Sequence, residues 1–161
     1  MKADKIEGFF GPYYFLNNFY RASVWHEGVK YPTCEHAYQA CKSESRDYRE
    51  TVSRLSTPWE AKVFGRSVIL PHDWSVKRLS VMRSVVESKF TNPILRCLLV
   101  ETGEAELVNS NDNNDAFFGV CRDRGENWLG RILMEVRDAV RISTLEDDVS
   151  FKKPRHGDGV L

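Results

Sequence analysis

The sequence predicts an α+β fold: a single compact, mostly helical domain with a small β-sheet. Three observations lead there. The 161 residues suffice for one sizeable hydrophobic core and fall short of two ordinary domains. Helix start and stop signals punctuate most of the chain beyond position 32. Between them lie a few short runs with strand character, too far apart in sequence to form one continuous meander. With 42% hydrophobic and 12% aromatic residues, the chain has the apolar surface that offsets ordering entropy, so it belongs among globular proteins.

The elements follow in chain order. Residues 8 to 20 are dense in aromatics and turn formers around Gly11-Pro12 and do not read as an ordinary helix. Residues 23 to 31 alternate around Val24, Trp25, Val29 and Tyr31 with Glu27-Gly28 at the turn, which predicts a short β-hairpin. Pro32 and Thr33 open a helix over about 33 to 43. A second helix follows Thr57-Pro58 and stops at Gly65. The strongest periodicity runs over 72 to 90, where Trp74, Leu79, Met82, Val86 and Phe90 recur at helical steps. Asn92-Pro93 ends that helix and starts another over 93 to 101. Leu107-Val108-Asn109 is a candidate strand, residues 111 to 115 a polar turn, and residues 117 to 121 a buried strand. A last helix is expected over 128 to 142. The domain is therefore placed at 1–142, with 143–161 as a flexible tail rich in charge, Pro154, Gly157 and Gly159.

Charge and cysteine usage exclude several classes. Lys plus Arg and Asp plus Glu number 23 each, so no basic excess drives general nucleic-acid binding. No apolar run approaches the roughly 18 to 20 residues a membrane span needs, and the N-terminus lacks a secretory h-region, so a cytoplasmic protein without a membrane partner is expected. Cys34, Cys41, Cys97 and Cys121 show no zinc-like spacing; free thiols and no metal are expected. Oligomeric state is not encoded in any pattern.

Three segments carry chemistry. On the first helix Glu35, Gln39 and Lys42 share a stripe, while Cys34, Tyr38 and Cys41 share another. The plain structural alternative is an exposed stripe beside a packed face. Glu35 lies in the first turn, where the helix dipole favours the ionised carboxylate. His36 points about 100° away from Glu35 and reads as a hydrogen-bonded structural residue before it reads as a base. The second segment, Asn114-Asp115-Ala116-Phe117-Phe118-Gly119, pairs an acid with aromatics and a glycine that admits close approach. The third, Gly125-Glu126-Asn127-Trp128-Leu129-Gly130-Arg131, is a helix start whose amides are candidates for holding phosphate.

Together these segments resemble the NADAR family, the YbiA-like N-glycosidases, over about residues 8 to 141. The resemblance rests on Phe15-Leu16-Asn17-Asn18-Phe19, on the Glu35-His36, Gln39 and Lys42 helix, and on Gly65-Arg66, Asp73-Trp74 and Lys89-Phe90, together with the second and third segments above. It implies hydrolysis of an N-glycosidic bond to ribose, in 5-phosphoribosylamino-pyrimidine intermediates of riboflavin synthesis or in ADP-ribose attached to guanine; no cofactor is expected. It implies Glu35, Lys42 and Asp115 as catalytic residues, and Asn18, His36, Gln39, Arg66, Trp74, Phe118, Gly119 and Asn127 as substrate-binding residues. Phe118 stands where many members carry tryptophan, and Val120 where an acidic residue is common; substrate preference is the property those departures touch.

Two routes remain open from the sequence. Glu35 and Asp115 divide cation stabilisation and proton transfer, or Lys42 captures C1′ of the opened sugar as a Schiff base. A non-enzymatic alternative is a module that binds ADP-ribose, with Arg66 and the Gly125 loop on phosphate. The expected geometry is a single cleft where Glu35, Lys42 and Asp115 converge, lined by Trp74 and Phe118.

Overall fold

The computed structural model describes residues 4–151, with side chains through residue 143. Its elements are β1 (Lys5–Glu7), a 3₁₀ helix (Gly11–Leu16), the hairpin β2 (Val24–His26) and β3 (Val29–Tyr31), helices α1 (Cys34–Ala40), α2 (Arg46–Ser53), α3 (Pro58–Phe64), α4 (Trp74–Lys89) and α5 (Pro93–Glu101), then β4 (Glu106–Val108) and α6 (Trp128–Phe151). The strands form two separate ladders. β1 pairs in parallel with β4, Ile6 opposite Leu107, and β2 pairs antiparallel with β3, Val24 opposite Tyr31.

Helix α1 is the centre of the molecule: all seven of its residues are buried, and it packs against α2, α3, α4 and the hairpin. Its start is fixed locally. Thr33 Oγ1 accepts from His36 N at 3.2 Å, and Glu35 N donates to Asn18 O at 3.1 Å, so two of the four unpaired amides of the first turn are satisfied. Helix α3 begins with a capping box, in which Thr57 accepts from Glu60 N while the Glu60 carboxylate accepts from Thr57 N, and Pro58 occupies the first turn. Asn92 caps α5 through Ile94 N and Leu95 N.

One alternative is excluded and three expectations change. The polar stripe of α1 is not exposed to solvent, because α2, α3, α4 and the hairpin pack around the helix. Residues 117 to 121 form no ladder. Only isolated bridges, Ser110 to Val120 and Cys121 to Arg124, occur there, because the segment's carbonyls are directed at the start of α6. Helix α2 and strand β1 were not anticipated: α2 buries only Val52 and β1 only Ile6, too little apolar pattern to detect. The last helix continues to Phe151, nine residues past the expected end at residue 142, so the first part of the anticipated tail is helical; residues 152–161 lie outside the described residues.

Cys34 and Cys41 are free thiols, pushed by burial up to about 11 and about 12 respectively. They stay protonated, as packed apolar groups do. Among the described residues no helix is long and apolar enough to cross a membrane, and no cluster of three His, Cys, Asp or Glu side chains is placed to hold a metal ion.

Candidate active site

A cavity of roughly 410 Å³ lies between the Asn17-Asn18-Phe19 loop, α1, the end of α3 and the loop 109–118, a size ordinary for a small-metabolite site. Glu35, Tyr38 and Gln39 reach it from α1, Lys62 and Arg66 from α3 and its end, and Asp115 and Phe118 from the long loop.

Glu35 is the buried carboxyl of this cavity, with 7% of its surface exposed. Gln39 Nε2 donates to its Oε1 at 2.8 Å across one helical turn. Burial pushes its carboxyl above the usual carboxylate range; the Gln39 bond and the charges of Lys62 and Lys42 oppose that shift, and Asp115 adds to it. The helix dipole was expected to keep Glu35 ionised. Desolvation outweighs it, because the dipole contributes only about 0.3–1 kcal/mol while a buried charge loses far more hydration.

Asp115 is half-buried and held differently. Its Oδ1 accepts from Phe117 N at 3.2 Å and Phe118 N at 2.9 Å, while Asn111 brackets its backbone, Nδ2 donating to Asp115 O at 2.9 Å and Oδ1 accepting from Asp115 N at 3.1 Å. A short polar loop thus fixes a carboxylate with one oxygen on the backbone and Oδ2 outside those bonds.

Aromatic packing builds the floor. Tyr38 meets Phe118 edge-on at 5.4 Å and Trp74 at 5.4 Å. Phe118 and Tyr38 line the cavity; Trp74, expected on the wall, sits behind Tyr38 in the core. Asn18 lines the cavity, its Nδ2 on Met82 Sδ at 3.3 Å. Lys89, almost wholly buried, donates to Asn17 O at 2.8 Å, and burial pulls its amine down to about 8. It holds the loop whose next carbonyl caps α1.

Several expected site residues stand elsewhere. Lys42 lies beside the cavity, within electrostatic reach of Glu35. Its Nζ donates to Gly65 O at 3.3 Å and lies 5.9 Å from the Tyr38 ring centroid, and burial lowers its pKa. His36 is fully buried with both ring nitrogens engaged, by Thr33 Oγ1 at 2.8 Å and Leu55 O at 3.1 Å. Since a carbonyl only accepts, Nε2 carries the proton and Nδ1 accepts from the threonine hydroxyl; burial holds the ring below the ordinary histidine value. Gly119 and Asn127 serve the loop. Asn127 Nδ2 donates to Leu107 O at 2.9 Å and its Oδ1 accepts from Asn109 N at 3.0 Å, and a Cβ on Gly119 would stand 2.4 Å from Asn109 O.

The amides at the start of α6 are already taken. Glu126 N, Trp128 N and Leu129 N donate to Ala116 O, Phe117 O and Phe118 O at 2.8, 3.2 and 3.0 Å. Gly125, at φ +152°, passes so close that a Cβ would fall 2.1 Å from Gly119 O. This helix start anchors the loop bearing Asp115, and the amides of Glu126, Trp128 and Leu129 are spent on that loop.

Sequence reasoning missed Lys62, Tyr38, Asn109 and Asn111 as cavity residues. Lys62 had a detectable signal, four residues before Arg66 on a predicted helix. The asparagines had none: Asn109 stood at the end of a candidate strand, and the polar cluster holding Asn111 reads as a turn until its partners are known.

The chain is similar to named proteins over most of its length. The NADAR domain model matches residues 3–141. N-glycosidase YbiA of Escherichia coli strain K12 is 37% identical over 131 residues, 79% of this chain and 81% of that protein. N-glycosidase Npun_R5314 of Nostoc punctiforme is 34% identical over 137 residues, 81% of this chain and 87% of that protein. Riboflavin biosynthesis protein VVA0006 of Vibrio vulnificus is 39% identical over 79% of this chain, which spans 35% of that longer protein. The solution structure of Escherichia coli YbiA superposes with a TM-score of 0.80 at 33% identity, covering 98% of this chain and 94% of that one. The chain belongs to the NADAR family, with the YbiA fold.

Proposed function

We propose that this chain hydrolyses the bond between ribose C1′ and a nitrogen, with 5-phosphoribosylamino-pyrimidines of riboflavin synthesis as its substrate class. One observation carries the reading: a desolvated carboxyl, Glu35, and a backbone-fixed carboxylate, Asp115, face the same small cavity. Breaking the C1′–N bond leaves a cation-like sugar, which a fixed carboxylate stabilises while a second group moves a proton. The raised pKa of Glu35 suits proton transfer, and the two hydrogen bonds from backbone amides hold the Asp115 carboxyl in place. Water adds to C1′, its proton passes to a carboxylate, and the departing nitrogen takes up a proton, so the products are the free sugar phosphate and the amine. The relatives' names, N-glycosidase and riboflavin biosynthesis protein, support both the reaction and the substrate class.

The Schiff-base route has one observation in its favour, the burial that lowers the Lys42 pKa, and one against it: Lys42 Nζ is engaged by Gly65 O. A passive ADP-ribose module keeps Arg66 on the cavity wall and loses most of the amides expected of the Gly125 loop, which are engaged within the protein. The test is incubation with a 5-phosphoribosylamino-pyrimidine and, separately, with ADP-ribosylated guanosine, following sugar release. Ribose 5-phosphate released in step with free pyrimidine is expected. Turnover of the guanosine substrate alone would overturn the substrate class, and borohydride trapping of a sugar on the protein would shift the chemistry to Lys42.

A further inference from the structure

The cavity carries two cations that the hydrolytic step does not use. Lys62 and Arg66 stand four residues apart at the C-terminal end of α3, where Arg66 N donates to Val63 O, and both lie on the cavity wall. Neither forms an ion pair among the described residues. Each is braced by an aromatic ring instead: Lys62 Nζ is 5.7 Å from the Phe19 centroid and the Arg66 guanidinium 5.6 Å from that of Trp59. A ring face orients a cation without neutralising it. The charge of Lys62 reaches Glu35 without an ion pair between them, so the cavity wall carries cations as well as carboxyls.

We propose that Lys62 and Arg66 form the subsite for a phosphate monoester on the ribose of the substrate, and so orient C1′ toward Glu35 and Asp115. This rests on the N-ribosyl reading above. A phosphate dianion accepts from both side chains at once, the planar guanidinium supplying a fork and the ammonium a point charge. It takes over the role expected of the α6 start, where the amides of Glu126, Trp128 and Leu129 are engaged by the 116–118 carbonyls.

The subsite is tested by equilibrium binding of ribose 5-phosphate, ribose and ADP-ribose to the wild-type chain, to Lys62→Gln, to Arg66→Gln and to the double variant, at two salt concentrations. Thermal melts confirm that each variant folds. Ribose 5-phosphate is expected to bind wild type at least about tenfold tighter than ribose, and each substitution to weaken it by about 10- to 100-fold, the range for hydrogen bonds to charged groups. Ribose binding stays unchanged, and added salt erodes only the phosphate advantage. A phosphate preference that survives in the double variant overturns the assignment, as does a wild type without that preference. Dependence on Lys62 and Arg66 for ADP-ribose alone moves the subsite from a monoester to a diphosphate and overturns it too. Because binding is the readout, a wild type that binds ribose 5-phosphate as expected yet releases no sugar sinks the glycosidase reading and leaves this subsite standing.

Discussion

Glu35 lies in the first turn of α1 and is almost without solvent, so two electrostatic effects act on it in opposite directions and burial prevails. The consequence for stability has a definite sign. A carboxyl whose folded pKa is raised binds its proton more tightly in the folded than in the unfolded chain, so stability falls as pH rises from the unfolded value through the folded one. Glu35→Gln keeps the side chain's shape and removes the ionisation. Its melting temperature should match wild type well below pH 4.5, the ordinary value, and exceed it near neutral pH, while turnover falls by about 10² because the carboxyl acts on the transition state. Melting curves from pH 3 to 8 check the first statement; a variant that melts below wild type at neutral pH would show that ionised Glu35 stabilises the fold. His36 beside it shows what was legible at this scale. Its adjacency to Glu35 suggested chemistry, its 100° offset suggested structure, and the closed bonds to Thr33 and Leu55 decide for structure.

At the scale of elements, α1 and α3 meet where Gly65 leaves no room for a side chain. A Cβ there would stand 2.0 Å from Gln39 Oε1, the amide whose other end donates to Glu35. Gly65 has φ −70°, an ordinary helical value, so alanine meets no backbone strain and its effect is purely steric. Gly65→Ala should cost about 1–3 kcal/mol by overpacking and lower turnover by about tenfold or more by displacing Gln39 from Glu35. Adding Gln39→Ala should restore much of the stability without restoring activity; additive destabilisation would place the strain elsewhere. Elements with local punctuation were readable: Thr57-Pro58 and Gly65 bounded α3, and Asn92-Pro93 started α5. The strand expected over 117 to 121 was misread because its apolar run was visible while the use of its carbonyls, at the start of α6, depended on a helix later in the chain. Helix α2 offered Ser45 as a cap and Asp47 in its first turn, but its polar composition concealed them.

For the whole molecule, a helix-rich α+β domain follows from length, caps and periodicity, whereas the pairing of β1 with β4 joins distant parts of the chain through three residues each and leaves no trace in local pattern. The same holds for the site. Glu35 and Asp115 were recognisable as chemistry-bearing residues within their motifs, and Lys62 and Asn111 acquire meaning only when folding brings their segments around one cavity. The central claim is that Glu35 and Asp115 act together on one ribosyl bond, and single-turnover release of ribose 5-phosphate by Glu35→Gln, Asp115→Asn and the double variant tests it most directly. Each single change should slow release by about 10² or more, and the double variant should be far faster than the product of the two losses predicts, because groups serving one transition state are not additive. Wild-type release by either single variant, or losses that multiply in full, would contradict a shared site.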